Sequence, residues 1–230
     1  MQLQGTDAEL TGDGTYTEQD YIVYIFTISY LFFGGSGCME YSKVIQRFKS
    51  VFAINGAKET ADSPFFHAAA PEKLVYLTDL YETFNYWTSI YLNGELEALK
   101  AYQVPVHIID FYQNYEPNNP PLTKAGIYLC DLDGIKAENA SAAPGGILIR
   151  YGLITIATTI GGMAICIDLN VLNQNDPQIV MVDLDDCLTM DCVQSYEDVQ
   201  KIFHVVAPGF NEFIWKLSGD EYNDFEDTFL

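Results

Sequence analysis

Leu153-Ile154-Thr155-Ile156-Ala157-Thr158-Thr159-Ile160-Gly161-Gly162-Met163-Ala164-Ile165-Cys166-Ile167-Asp168-Leu169 is the stretch whose reading decides the fold. Two β-rich runs flank Gly161-Gly162. Glycine takes positive φ without steric penalty, so the pair predicts a tight two-residue turn with both glycines in that region. Downstream, Asn173 to Pro177 reads as another turn, and Gln178 to Asp183 as a third strand built on Ile179-Val180-Met181-Val182. Upstream, Gly126 to Cys130 reads as a strand, and Asp131 as the N-cap of a short helix through Glu138. Ala143-Pro144-Gly145-Gly146 reads as a turn. Together these segments predict an antiparallel meander.

Helical spacing dominates on either side. Val44, Phe48 and Val51 predict a helix over Glu40 to Phe52, and Asn55 to Asp62 is loop-like. Pro71 suits a first helical position, followed by the stripe Leu74, Leu77, Tyr81 and Phe84. Asn93-Gly94 breaks the pattern, and Glu95 to Tyr102 makes a short helix. Pro105 starts another, with Ile108, Phe111 and Tyr115 on one face; Tyr115 to Pro121 is a rigid loop. After Pro208-Gly209, Phe210, Phe213, Ile214 and Leu217 form an i, i+3, i+4, i+7 stripe that can pack on one sheet face. The expected class is α+β: an antiparallel meander with helices packed on one face.

The 230 residues suit one domain with decorations, or two small ones. An apolar content of 49% is enough for a core. The balance of 32 acidic to 11 basic residues, net −21, argues against nucleic-acid or anionic-membrane partners, which need a basic surface. A basic protein is the natural complement, and solubility alone is the plain alternative. The charge is uneven: residues 183–230 hold twelve acids and two bases.

The five cysteines, Cys38, Cys130, Cys166, Cys187 and Cys192, show no metal-ligand spacing, so no metal and no cofactor is expected. Cys130 and Cys166 sit in apolar runs as small core residues, which fits a reducing cytoplasm. Tyr21 to Phe33 is an apolar run of 13 residues, too short to cross a bilayer as a helix, and only acids precede it. It reads as a buried helix, as a weak membrane signal, or as part of a translated leader with the native start at Met39.

The assembled segments resemble the SUKH superfamily, which includes relatives of the yeast cell-wall synthesis regulator and many bacterial toxin-immunity proteins. Leu96 to Leu99 with Val104-Pro105 and Asp110 to Pro117 are similar to that family's short helix, its Pro-initiated second helix and the following loop. Ile127 to Leu132, Ile135 and Glu138-Asn139 resemble its first strand and next helix. Pro144-Gly145, Tyr151-Gly152 and Ala157 to Asn170 resemble its central hairpin, Pro177 to Val182 the next strand, and Phe210 to Leu217 the closing helix. The likeness covers roughly residues 90–218 and divides the chain into an N-terminal extension 1–38, a helical part 39–89, and a SUKH-like domain with an acidic tail over 90–230. It implies a protein that is no enzyme and neutralises a cognate toxin by contact; a regulatory scaffold is the alternative within the family. Many such toxins are nucleases with basic grooves. The candidate contact residues are Asp183, Asp185, Asp186, Asp191, Glu197 and Asp198, with Glu221, Asp224, Glu226 and Asp227 as a second group. The partner, its contacts and the oligomeric state stay open.

A competing enzyme reading rests on Ile179 to Leu188, which resembles the strand and Asp-x-Asp motif of haloacid-dehalogenase phosphatases, with Asp183 as nucleophile, Asp185 as general acid and Gly219-Asp220 near Asp224 as metal holder. Against it, Cys187 stands where Thr is usual, and only 42 residues follow Leu188, too few for the further βα units of about 30 residues each. His67, His107 and His204 have no nucleophile partner in sequence, Asn139-Ala140-Ser141 is a glycosylation sequon by pattern alone, and Trp87 and Trp215 read as core or edge packing. Tyr81, Tyr86, Tyr91 and Tyr102 read as core, with an aromatic binding surface as the alternative.

Overall fold

The computed structural model describes residues 39–85, 96–140, 142–189 and 193–222. The chain divides into two units, Met1–Cys38 and Met39–Leu230, and every described residue belongs to the second. Its first helix, α1, spans Tyr41–Ile54 and buries Tyr41, Val44, Ile45, Phe48 and Phe52, a wider stripe than the sequence spacing predicts. Phe66–His67 (β1) pairs antiparallel with Glu116–Pro117 (β2). The sequence predicts only a loop over Tyr115 to Pro121, because two residues are too few to display alternation. Pro71–Lys73 forms a 3-10 turn leading into α2, Val75–Thr78. Asp79 breaks the helix there and caps a new helical stretch at 80–85 by accepting the Glu82 N–H at 2.9 Å. Of the expected stripe, Leu77 and Phe84 are buried.

Leu96–Ala101 is a 3-10 helix, shorter and tighter than the helix expected over Glu95 to Tyr102. The α3 helix runs Val106–Tyr115 with Pro105 at its N-cap position and Ile108, Ile109, Phe111 and Tyr112 buried. Strand β3, Ile127–Leu129, leads to α4, Leu132–Ala140, whose N-terminus Asp131 caps as predicted: its Oδ1 accepts the Gly134 N–H at 2.6 Å. The turn expected at Ala143 to Gly146 is found at Ala143-Pro144, while Gly145-Gly146 already open a short helix, α5, Gly145–Leu148, continued by a 3-10 turn at Ile149–Tyr151. Pro144 supplies an acceptor here: its carbonyl takes the Ile147 and Leu148 N–H groups.

Strands β4 (Leu153–Thr159), β5 (Ala164–Asn173) and β6 (Asp176–Val182) form the predicted meander. After two short helices, α6 (Leu184–Thr189) and α7 (Tyr196–Val199), comes β7, Phe203–Ala207, and then α8, Phe210–Ser218. The sheet order is β3-β4-β5-β6-β7, antiparallel at every step. β7 goes beyond the sequence expectation, because Phe203-His204-Val205-Val206-Ala207 shows no alternation to read.

The β4–β5 turn differs from the two-glycine expectation. Thr159 N–H bonds the Met163 carbonyl, Gly162 N–H bonds the Thr159 carbonyl, and only Gly162 has positive φ, +85°. That is a three-residue connection, Ile160 to Gly162, closed by one left-handed glycine.

The long helices pack on one face: Ile154, Ile156, Ile165, Ile167, Ile179 and Met181 share a core with Phe48, Phe111, Phe210 and Phe213. The opposite face is covered by short elements. Leu153, Ala164, Cys166, Val180 and Val182 meet Leu148 of α5, Cys187 of α6 and Val199 of α7. Where β3 ends, Asn139 extends the ladder: its side-chain amide donates to the Thr155 carbonyl and accepts the Thr155 N–H. Asn139 is fully buried in that role, so the glycosylation pattern there is structural.

Gly152 is a tight spot. It has φ +77°, and a Cβ there would stand 2.5 Å from the Tyr102 ring. Gly152→Ala is expected to lose about 3 kcal/mol from left-handed strain and overpacking. For a domain of this size that is a fall of roughly 6–12 °C in a thermal scan. A fall below about 2 °C would show that Tyr102 moves aside freely.

Candidate functional site: the acidic connection over the sheet

Residues 183–202, between β6 and β7, carry six acidic residues and one base, Lys201. Asp183 is half-buried and spends one oxygen on structure: its Oδ1 accepts the Asp185 N–H at 2.8 Å, opening α6. Asp185 and Asp186 are exposed on the first turn of that helix. Carboxylates are favoured at this position by the unpaired N–H groups of a helix start. Asp191 lies outside the described residues. Glu197 is exposed on α7.

Asp198 is occupied locally. It exchanges hydrogen bonds with Ser195, accepts the Gln194 N–H at 3.3 Å, and pairs with Lys201 at 2.8 Å. The Lys201 ammonium, followed by those hydrogen bonds, holds its carboxyl below the usual range. In the second group, Glu221 is engaged by Arg47 at 2.7 Å, whose guanidinium lies 3.8 Å from the Trp215 ring centroid. Asp224, Glu226 and Asp227 lie outside the described residues. The structure therefore places Asp183, Asp185, Asp186 and Glu197 on one connection and assigns Asp198 and Glu221 to internal pairs.

What fixes this connection to the sheet is absent from the sequence reading. Asp168 of β5 is fully buried. Its Oδ1 accepts Asn170 N–H and Nδ2–H, both at 2.9 Å; its Oδ2 accepts Gln178 Nε2–H at 2.8 Å and the Tyr196 hydroxyl at 2.5 Å. Asn170 also donates to the Tyr151 carbonyl and accepts from Tyr102. Tyr151 in turn donates to the Val193 carbonyl at 2.7 Å. Two tyrosines thus clamp the stretch 193–199 onto the sheet, one through a buried carboxylate. Desolvation, and then Asp168 itself, pushes the Tyr196 phenol well up from 10.0. A signal existed: period two puts Asp168 on the face of Ala164 and Cys166, an acid amid apolar residues, where only a hydrogen-bonded role is tolerable.

The phosphatase architecture does not match. β6 lies antiparallel between β5 and β7, so Asp183 follows a strand of an antiparallel sheet rather than the carboxyl edge of a parallel one. Asp220, the supposed metal holder, accepts the Lys124 N–H at 2.8 Å. Among the described residues, no three His, Cys, Asp or Glu side chains are arranged to hold a metal ion, and no helix is long and apolar enough to cross a membrane. Tyr21 to Phe33, Asn93-Gly94, Trp87, Tyr86 and Tyr91 are outside the described residues. Trp215 is at the edge, 40% exposed. Tyr81 stacks under Lys100 at 4.1 Å.

Two of the three histidines neighbour acids: His67 Nε2 is 3.6 Å from Glu116, and His107 Nε2 is 3.0 Å from Asp176. Asp176 also accepts the Phe210 and Asn211 N–H groups and so anchors the start of α8. Cys130, Cys166 and Cys187 are buried free thiols. Burial pushes the Cys166 thiol up to about 12 and, with Asp186 and Asp183 nearby, Cys187 up to about 11.

These thiols, the buried phenol of Tyr112 and the half-buried phenol of Tyr196 hold their protons more tightly in the folded chain than in the unfolded one. Their contribution to stability is complete below the ordinary values of 9.0 for cysteine and 10.0 for tyrosine, and is lost as pH rises toward the folded values. Urea midpoints are therefore expected to fall steeply between pH 9 and pH 12, and a flat profile across that window would contradict the burial described.

No protein-family model matches the chain, and no curated protein matches it. What the connection can do chemically is present negative charge; among the described residues its carboxylates are caps, ion-pair partners and surface groups.

Proposed function

We propose that this chain is a non-enzymatic, cytoplasmic immunity protein of SUKH type, which occludes a cognate basic toxin, of the nuclease kind, through its acidic surface. The observation that carries the reading is the placement of Asp183, Asp185, Asp186 and Glu197 on a connection clamped to the sheet, in a chain of net −21. A cationic nuclease groove meets phosphates in its working state; fixed carboxylates can stand in their place, and opposite potentials speed the encounter. The α+β architecture, with its antiparallel meander and closing helix, agrees with the resemblance drawn from sequence.

The test is co-expression with the product of the neighbouring gene, scored by survival and pull-down. Protection with a stoichiometric complex is the expected result. A solitary gene, or a neighbour that is neither toxic nor bound, would favour the scaffold role.

A further inference from the structure

We infer that the outer edge of β7 is a docking strand for an extended, basic segment of the partner protein; the inference rests on the proposed function and specifies how the partner is held. Among the described residues, β7 ends the sheet and no strand pairs with its outer side. His204 and Val205 are neighbours on the strand, so their side chains point to opposite faces. Both are exposed, Val205 at 50%, whereas Val206 and Ala207 are buried. The opposite edge is managed differently, since Asn139 caps the open part of β4.

Proteins blunt sheet edges with lysine, proline or inward charges, because the row of backbone donors and acceptors templates another strand. Phe203-His204-Val205-Val206-Ala207 has none of these; Pro208 stands just beyond its end, and one irregularity, at Val206, interrupts its register with β6. The strand also holds no acid, in a chain that is otherwise strongly acidic.

Charge selects the occupant. A second copy would bring another net −21 against the first, and like charges oppose that association. The six acids of residues 183–198 precede the strand, with Lys201, paired to Asp198, between them and Phe203. A β-strand from a cationic protein could pair its backbone with β7 while its basic side chains reach Asp185, Asp186 or Glu197. Strand addition supplies affinity through main-chain bonds, and the flanking charges supply selectivity and rate.

The probe is a synthetic peptide of about eight residues alternating Val and Lys. Two controls accompany it: the same sequence N-methylated throughout, equal in charge but unable to donate main-chain bonds, and an alternating Val and Glu peptide. Binding is followed by titration, and protection by amide hydrogen exchange of the unaltered full chain. The Val-Lys peptide is expected to bind in a salt-dependent way and to slow exchange across residues 203–207. The N-methylated peptide should bind at least about tenfold more weakly, and the Val-Glu peptide should not bind.

Equal binding by the N-methylated peptide, or unchanged exchange in β7, overturns strand addition while leaving the acidic surface standing if Asp183→Lys, Asp185→Lys and Asp186→Lys together still abolish binding. If that triple variant binds the peptide as the unaltered chain does, the acidic-surface reading fails as well. A concentration-dependent dimer that slows exchange in β7 without any peptide would identify a second copy as the occupant and overturn the heterologous proposal.

Discussion

Asp168→Ala is expected to lower the unfolding free energy by about 3 kcal/mol and to release the stretch 193–199 from the sheet. The carboxylate accepts four hydrogen bonds, two from Asn170 and one each from Gln178 and Tyr196. Removing it takes the acceptor from donors of exposed Asn170 and half-buried Gln178 and Tyr196, at about 1–3 kcal/mol for each that neither water nor another group satisfies. Against this stands the relief of burying one charge fewer, which makes some buried ions dispensable when apolar residues replace the whole group. Here only one member is removed and its donors remain, so the loss prevails. Asp168→Asn keeps the shape but sets an N–H₂ against donors, and an intermediate loss is expected. Tyr196→Phe leaves the carboxylate one donor short and should cost about 1.5–3 kcal/mol, the range for a bond to a charged group. Urea denaturation gives the energies, and hydrogen exchange locates the opening. A loss under about 1 kcal/mol for Asp168→Ala, with unchanged exchange over 193–199, would show that the clamp lies elsewhere.

Reversing Asp183, Asp185 and Asp186 to lysine should slow association with a basic toxin by about 10–100-fold at low salt. The change takes the net charge from −21 to −15, yet its effect depends chiefly on position, because charges beyond about 10 Å are screened at 0.1 M salt. The matching control reverses Asp62, Glu72 and Glu82, three exposed acids on other elements with the same total change. The control variant should associate nearly as fast as the unaltered protein, and the rates of all three proteins should converge as salt rises. Stopped-flow association at graded ionic strength measures this. Equal slowing by both variants would mean that net charge alone steers the encounter and that the connection is not the contact surface. Asp183→Lys also removes the cap of α6, so Asp185→Lys with Asp186→Lys is the cleaner double variant for stability.

The elements differ in how legible they are in the sequence. The hairpin strands, α1 and α8 are legible from their residue spacing, β6 from the apolar run Ile179 to Val182 after a turn, and α4 from its cap Asp131, with Pro208-Gly209 as further punctuation. The two-residue β1 and β2 are not, since their existence is a pairing between segments far apart in the chain. The glycine turn falls where the sequence predicts it but closes differently. Gly161-Gly162 permits either closure, and the Thr159–Met163 pairing decides it.

The acidic residues 183–198 are equally visible as charge, but their division is not. Asp198 and Lys201 sit at helical spacing, so local geometry claims Asp198 before any partner can, while Asp183 gives one oxygen to the start of α6. Glu221 is claimed at long range by Arg47.

The amino-acid order alone determined the periodic elements, their succession into an α+β meander, and the negative charge concentrated toward the C-terminal end; these follow from side-chain spacing and from composition. Only the tertiary structure decided that both sheet faces are covered, that Asp168 joins Tyr196 to the sheet, and that β7 forms its outer edge. Those depend on which segments meet in space, and burial together with hydrogen-bond satisfaction selects among meetings that the linear pattern leaves equivalent.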